Sequence, residues 1–103
     1  MGKVEFNAVL SDDGRKLTIS IDGRFDFNMH SDFRSAYREL PASTEFIIDL
    51  SKATFMDSSA MGMLLLLREH AGEKSANICL KNCNSDIRKI LSISSLDKMF
   101  VVE

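Results

Sequence analysis

Two apolar runs of different character flank the stretch SKATFMD, and together they leave little choice of architecture. Phe46-Ile47-Ile48-Asp49-Leu50 is short, continuous and partly β-branched, the pattern of a strand covered on both faces. Ala60–Leu67, AMGMLLLL, follows Asp57-Ser58-Ser59, residue types that start helices, and reads as a helix to about Ala71, where AGEK ends it. A buried strand feeding a helix is half of a β-α unit, and a parallel sheet follows if the unit repeats. It does repeat. Ala76–Leu80 (ANICL) reads as the next strand. Ser85–Leu91 (SDIRKIL) reads as the next helix, with Ser85 as its cap and Ile87, Ile90 and Leu91 facing inward. Met99–Val102 (MFVV) supplies a last short strand.

Upstream the pattern changes. Val4–Leu10 is strand-like, SDDG at Ser11–Gly14 is a turn signal, and Leu17–Asp22 alternates apolar and polar residues. This is a β-hairpin whose second strand departs at Gly23-Arg24-Phe25-Asp26. Met29, Phe33, Tyr37 and Leu40 then recur at helical spacing, with Ser31 or Asn28 as the cap and Pro41 as the stop. The order β-β-α-β-α-β-α-β predicts an α/β domain. Its mixed sheet has an opening hairpin and then parallel β-α units, with helices packed largely on one side. A chain of 103 residues has room for one such domain, spanning 1–103.

Charge and hydropathy remove several function classes. A net charge of −2 gives no basic footprint for a phosphate backbone, so nucleic acid is not an expected partner. The longest apolar run, Ala60–Leu67, is far below the roughly 20 residues a membrane span needs. With no apolar segment near Met1 that resembles a signal peptide, the expected location is the cytoplasm. Cys79 and Cys83 form no disulfide framework. As metal ligands they lack a second Cys or His pair, and Cys79 lies inside a predicted strand, where a small buried hydrophobe is the simpler reading. The glycines at 14, 23, 62 and 72 are scattered, so neither a phosphate-cradling loop nor a cofactor is expected.

Asp57-Ser58-Ser59 is the stretch with chemical content. One reading is a helix cap, which needs a single side chain. Three cap-capable residues in a row exceed that need. A serine nucleophile lacks its setting. No G-x-S-x-G surrounds Ser58, His70 stands roughly 18 Å down the same helix, and His30 begins another helix with no spacing that ties it to the site. No enzyme is expected. A hydroxyl at a helix N-terminus is, however, well suited to carry a phosphate, whose oxygens the free N–H groups there satisfy. The helix itself is apolar almost all round. If Met61, Leu64 and Leu65 pack inward, then Gly62, Met63 and Leu66 lie outward beside Ser59, either to fill space or to meet a partner.

IIDLSKATFMDSSAMG resembles the signature of STAS domains, the family of bacterial anti-sigma factor antagonists, and ISIDGRFD resembles that family's earlier strand ending in Gly-Glu-Leu-Asp. The resemblance spans nearly the whole chain. It implies a switch in which Ser58 is phosphorylated by an anti-sigma factor that is also a serine kinase, and a PP2C-type phosphatase reverses this. The unmodified form binds the anti-sigma factor and frees a sigma factor. By the same resemblance Asp57 is the motif aspartate and Asp26 lies near the partner surface. Ser59 is expected to help shape the site, and the outward helix residues Gly62, Met63 and Leu66 to join Asp26 in the docking face. Ala60 departs from the family's usual glycine. A standalone domain of this kind also fits a second role, as an unmodified scaffold subunit of a transporter complex.

Overall fold

The computed structural model describes residues 5–103. Five strands form one sheet in sequential order: β1 (Glu5–Leu10), β2 (Lys16–Phe25), β3 (Glu45–Met56), β4 (Ile78–Lys81) and β5 (Val101–Val102). The β1–β2 hairpin is antiparallel and every later pairing is parallel. Helices α1 (His30–Tyr37), α2 (Ser58–His70) and α3 (Ser85–Ile93) occupy the crossovers. The expected start of β1 at Val4 lies outside the described residues.

Register explains the core. Leu17, Phe46 and Ile78 lie side by side across β2, β3 and β4, and Ile19, Ile48 and Leu80 form the next row. All six are buried in one cluster with Phe33 and Tyr37 of α1, Ala60, Leu64 and Leu67 of α2, and Ile87 and Leu91 of α3. The helices therefore share one face of the sheet. On the other face Thr18, Ser20 and Asp22 of β2 alternate with the buried residues and stay partly exposed. This corrects one expectation: β3 is covered on a single face. Its run looks continuous because Ile47, pointing away from the helices, is still shielded to 7% exposure by its neighbours on the open side.

β2 and β3 extend further than their apolar patterns suggest. β3 carries an extra residue against β2 between Ser20 and Asp22, and another between Gly23 and Arg24. These bulges shift its buried positions to every third residue: Leu50, Ala53 and Met56. Alternation is broken there, and periodicity alone does not report a strand.

Two caps also differ from expectation. Asn84, rather than Ser85, caps α3 by accepting the Ile87 N–H at 2.9 Å. Ahead of α1, neither Ser31 nor Asn28 acts as a cap. The Asp26 carboxylate accepts the Asn28 N–H at 3.0 Å and starts a 3-10 turn, Phe27–Met29, that leads into the helix.

The loop after β4 is clasped to β3. Asp49 Oδ1 accepts the Ser51 N–H at 3.0 Å and the Asn82 amide at 3.2 Å, while Asn84 donates to the Ala53 carbonyl at 2.8 Å. Burial pushes the Asp49 carboxyl up, but its donors at Ser51 and Asn82 outweigh that and hold it below the ordinary carboxylate value. The clasp's ionic contribution is thus present above the unfolded-state value near pH 4 and is lost as pH falls through the lower folded value. Asn82→Gly suits the left-handed backbone there, φ 59°, while deleting the amide. It is expected to cost at most about 1 kcal/mol at pH 7. Urea unfolding should find that deficit narrowing as the buffer is taken below about pH 4.

Candidate functional site

The site is built where β2 and β3 end together. Phe25 pairs with Met56, and the Asp57 N–H reaches the Phe25 carbonyl at 3.4 Å, which fixes the start of α2 at the carboxyl end of the two strands. In parallel sheets this end is the usual place for binding. Asp57 is the N-cap: its Oδ1 accepts the Ala60 N–H at 3.0 Å. One carboxylate therefore does the capping, and neither serine is needed for it. Ser58, the first residue of the helix, is exposed, and Ser59 is half-buried. Asp57→Ala is expected to cost about 1 kcal/mol, or roughly 4–8 °C in Tm for a domain of this size, whereas Ser58→Ala should leave thermal unfolding nearly unchanged.

Helix phase then decides which residues face out. Starting from the Asp57 cap, Ala60, Met63, Leu64, Leu67 and Ala71 form the buried stripe, and Leu65 and Leu66 are left 40% and 51% exposed. The inward set expected from sequence is thus corrected. Met63 turns in at 4% exposure and Leu65 turns out, because the stripe begins one residue earlier than Met61. The methyl of Ala60 is fully buried, so the departure from glycine is spent in the core and not on the outer surface.

Outside the stripe lies a shallow groove of about 510 Å³. Ser59, Gly62, Met63, Leu65, Leu66 and Glu69 of α2 form one side, and Phe27 and His30 form the other. Ser59, Gly62 and Leu66 border it together, while Met63, expected to project outward, reaches it only as a buried wall. Gly62 borders open space: a Cβ there would meet nothing within 4 Å. Asp26 does not line the groove. Its carboxylate starts the turn that carries Phe27 and pairs with Arg24 at 3.7 Å, and the Arg24 guanidinium lies 4.5 Å from the centre of the Phe55 ring. Asp26 therefore acts on the groove by positioning its wall.

Sequence reading missed Phe27, His30, Leu65 and Glu69. Phe27 is 66% exposed, and its ring stacks on His30 at 5.2 Å. The available signal was an aromatic residue placed just before the helical pattern, following a cap-type aspartate. The other histidine, His70, sits at the far end of α2 with Nε2 2.7 Å from the Leu40 carbonyl oxygen. Among the described residues neither imidazole is hydrogen-bonded to Ser58 or Ser59.

The thiols are placed differently from expectation. Cys83 is the one buried in the core, and Cys79 is half-buried on the sheet's open side. Burial raises both thiols above the ordinary value. Among the described residues no three His, Cys, Asp or Glu side chains converge as metal ligands, and no helix is long and apolar enough to cross a membrane.

Comparison with known proteins finds a matching family, described as "Mlab, STAS domain", over residues 8–103. The STAS-domain containing protein PA14_20770 of Pseudomonas aeruginosa (strain UCBPP-PA14) is 51% identical over 96 residues, covering 92% of this chain and 95% of that protein. Among solved structures, the unphosphorylated form of the anti-sigma factor antagonist SpoIIAA aligns with a TM-score of 0.73 at 17% identity, over 96% of this chain and 87% of that one. The Bacillus cell fate determinant SpoIIAA in its phosphorylated form aligns at 0.68 and 18%, over 96% and 91%. A sulfate transporter family protein from Wolinella succinogenes aligns at 0.69 and 16%, over 91% and 80%.

Proposed function

Because this chain belongs to the STAS-domain family, we propose that it is a regulatory binding protein switched by phosphorylation of Ser58. The reading rests chiefly on one juxtaposition. An exposed hydroxyl that the helix does not need for capping adjoins, through Ser59, an open apolar groove. In the unmodified form the groove receives an anti-sigma factor, and a sigma factor is released. That anti-sigma factor, acting as a serine kinase, transfers a phosphoryl group to Ser58, and a PP2C-type phosphatase removes it. The chain is a substrate and not an enzyme, and it acts in the cytoplasm. SpoIIAA supports the reading, being an anti-sigma factor antagonist solved both with and without phosphate.

Asp57 and Ser59 shape the site, and Gly62 and Leu66 form the docking face over the buried wall of Met63, with Asp26 holding its far wall. A phosphate brings about −1.5 to −2 charge beside Asp57. The helix N–H groups tolerate it, but an apolar interface closing over it would have to desolvate it. Peptide mass spectrometry on protein from its native cells, with and without phosphatase treatment, tests the proposal. A phosphate at Ser58 supports it, and an unmodified Ser58 under all growth conditions overturns it. The second reading, a transporter scaffold without modification, draws on the sulfate transporter family protein of the same fold. A pull-down that recovers an ATP-binding-cassette subunit and no kinase-like anti-sigma factor would decide for it.

A further inference from the structure

Among the described residues β1 ends the sheet, and none of them covers its outer side. From Asn7 to Leu10 every residue is exposed, with Val9 at 56% and Leu10 at 43%. Protein sheets usually blunt such an edge with proline, lysine, a bulge or a covering element. Glu5–Leu10 contains no proline or lysine, and its register with β2 runs without a shift from Glu5↔Asp22 to Leu10↔Leu17.

We propose that this edge pairs with a second copy of the chain, antiparallel, about a two-fold axis through Ala8. Two constraints limit the register, and among those they allow the two-fold at Ala8 gives Phe6–Leu10 the fullest overlap. The first is hydrogen bonding. At the hairpin mouth the Ser11 N–H donates to the Lys16 carbonyl at 2.8 Å, which makes Ser11 and Lys16 a bonded pair. Bonded and non-bonded pairs alternate along an antiparallel ladder. Asn7 and Val9 therefore turn their backbone groups toward β2, and Phe6, Ala8 and Leu10 turn theirs outward. The second is side-chain parity, since residues opposed across a ladder lie on the same face. A two-fold at Ala8 sets Phe6 against Leu10 of the partner subunit and Ala8 against its own copy, and it sets Asn7 against Val9 of the partner subunit. Those first pairs are the residues whose backbone groups point outward, so roughly six new hydrogen bonds form with no change in either hairpin. Phe6, half-buried with its ring 6.3 Å from that of Phe33, covers the exposed Leu10 of the partner subunit, and the small Ala8 lets the strands meet at the axis.

None of the groove-lining residues belongs to β1, so the dimer carries two open grooves. The contact is narrow and belongs with weak, concentration-dependent interfaces.

Sedimentation velocity from about 10 μM to about 1 mM is the test, since that range brackets a weak dimer. The full chain is expected to shift from monomer to dimer. Ala8→Pro removes an outward N–H that β2 does not use, and edge strands accept proline at such positions. It is expected to remain monomeric with an unchanged circular dichroism spectrum. A full chain that stays monomeric throughout, or an Ala8→Pro variant that dimerises like the parent, overturns the proposal. Should Ala8→Pro fail to fold, Leu10→Lys is judged by the same two outcomes. As a check on register, Ala8→Cys brings two Cα atoms to about 5.5 Å, within disulfide reach. Oxidised glutathione should then give a covalent dimer that the parent, with Cys79 and Cys83, does not form.

Discussion

Phosphorylated protein, or Ser58→Asp as its nearest mimic, is expected to bind the anti-sigma factor on the order of 100-fold more weakly than the unmodified chain. That corresponds to roughly 2.8 kcal/mol, since each 1.4 kcal/mol changes affinity tenfold. The size follows from the site. A partner docked onto Leu65, Leu66 and Phe27 would strip water from the adjoining start of α2, and a double charge desolvated there costs several kcal/mol, which the helix N–H groups offset only in part. Asp57 is already committed to the Ala60 N–H, so it adds repulsion and offers no compensation. Ser58→Ala should bind like the parent and resist modification. Isothermal titration of the three proteins against the partner recovered with Ser58→Ala reads the effect directly. Equal affinity for all three would mean that the charge lies outside the interface.

Phe33→Ala is expected to be the most destabilising single truncation, at about 3–5 kcal/mol, a large share of the 5–15 kcal/mol that holds a typical domain together. Phe33 is 1% exposed, and its ring stands 6.3 Å from Phe6, 5.5 Å from Phe25 and 5.8 Å from Tyr37. It joins the edge strand, the end of β2 and helix α1 in one contact. Urea denaturation measures the loss. A cost below about 1.5 kcal/mol would mean that the surrounding rings collapse into the space. Phe33 also fixes the helix that begins at His30, so the variant should weaken partner binding beyond what its folded fraction explains.

The sequence made some of this legible and hid the rest for physical reasons. Element order, the hairpin and the parallel crossovers follow from hydrophobic periods that the fold preserves. The strand-to-helix junction at Asp57-Ser58-Ser59 is legible because cap-type residues stand between an apolar strand and an apolar helix, and the structure gives the cap to Asp57. Periodicity failed where β3 bulges, since an inserted residue shifts the period locally from two to three. It also failed on α2, which is apolar on nearly every side, so the sequence contains no phase. The Asp57 cap sets that phase by fixing the helix start, and a one-residue offset exchanged the roles of Met63 and Leu65. Phe27 escaped because a 3-10 turn carries it, and such turns have no pattern long enough to detect.

The sequential strand order has a kinetic side. Each strand after the first pairs with the one made just before it, and no strand is inserted later between two that are already joined. Parallel pairing is slow when distant segments must find one another, because the closure entropy comes due before the contacts form. Here every closure spans a single neighbouring crossover. A nascent chain leaving the ribosome can add one β-α unit at a time to a growing sheet, with β3, the longest strand, as the template for β4 before β5 is made.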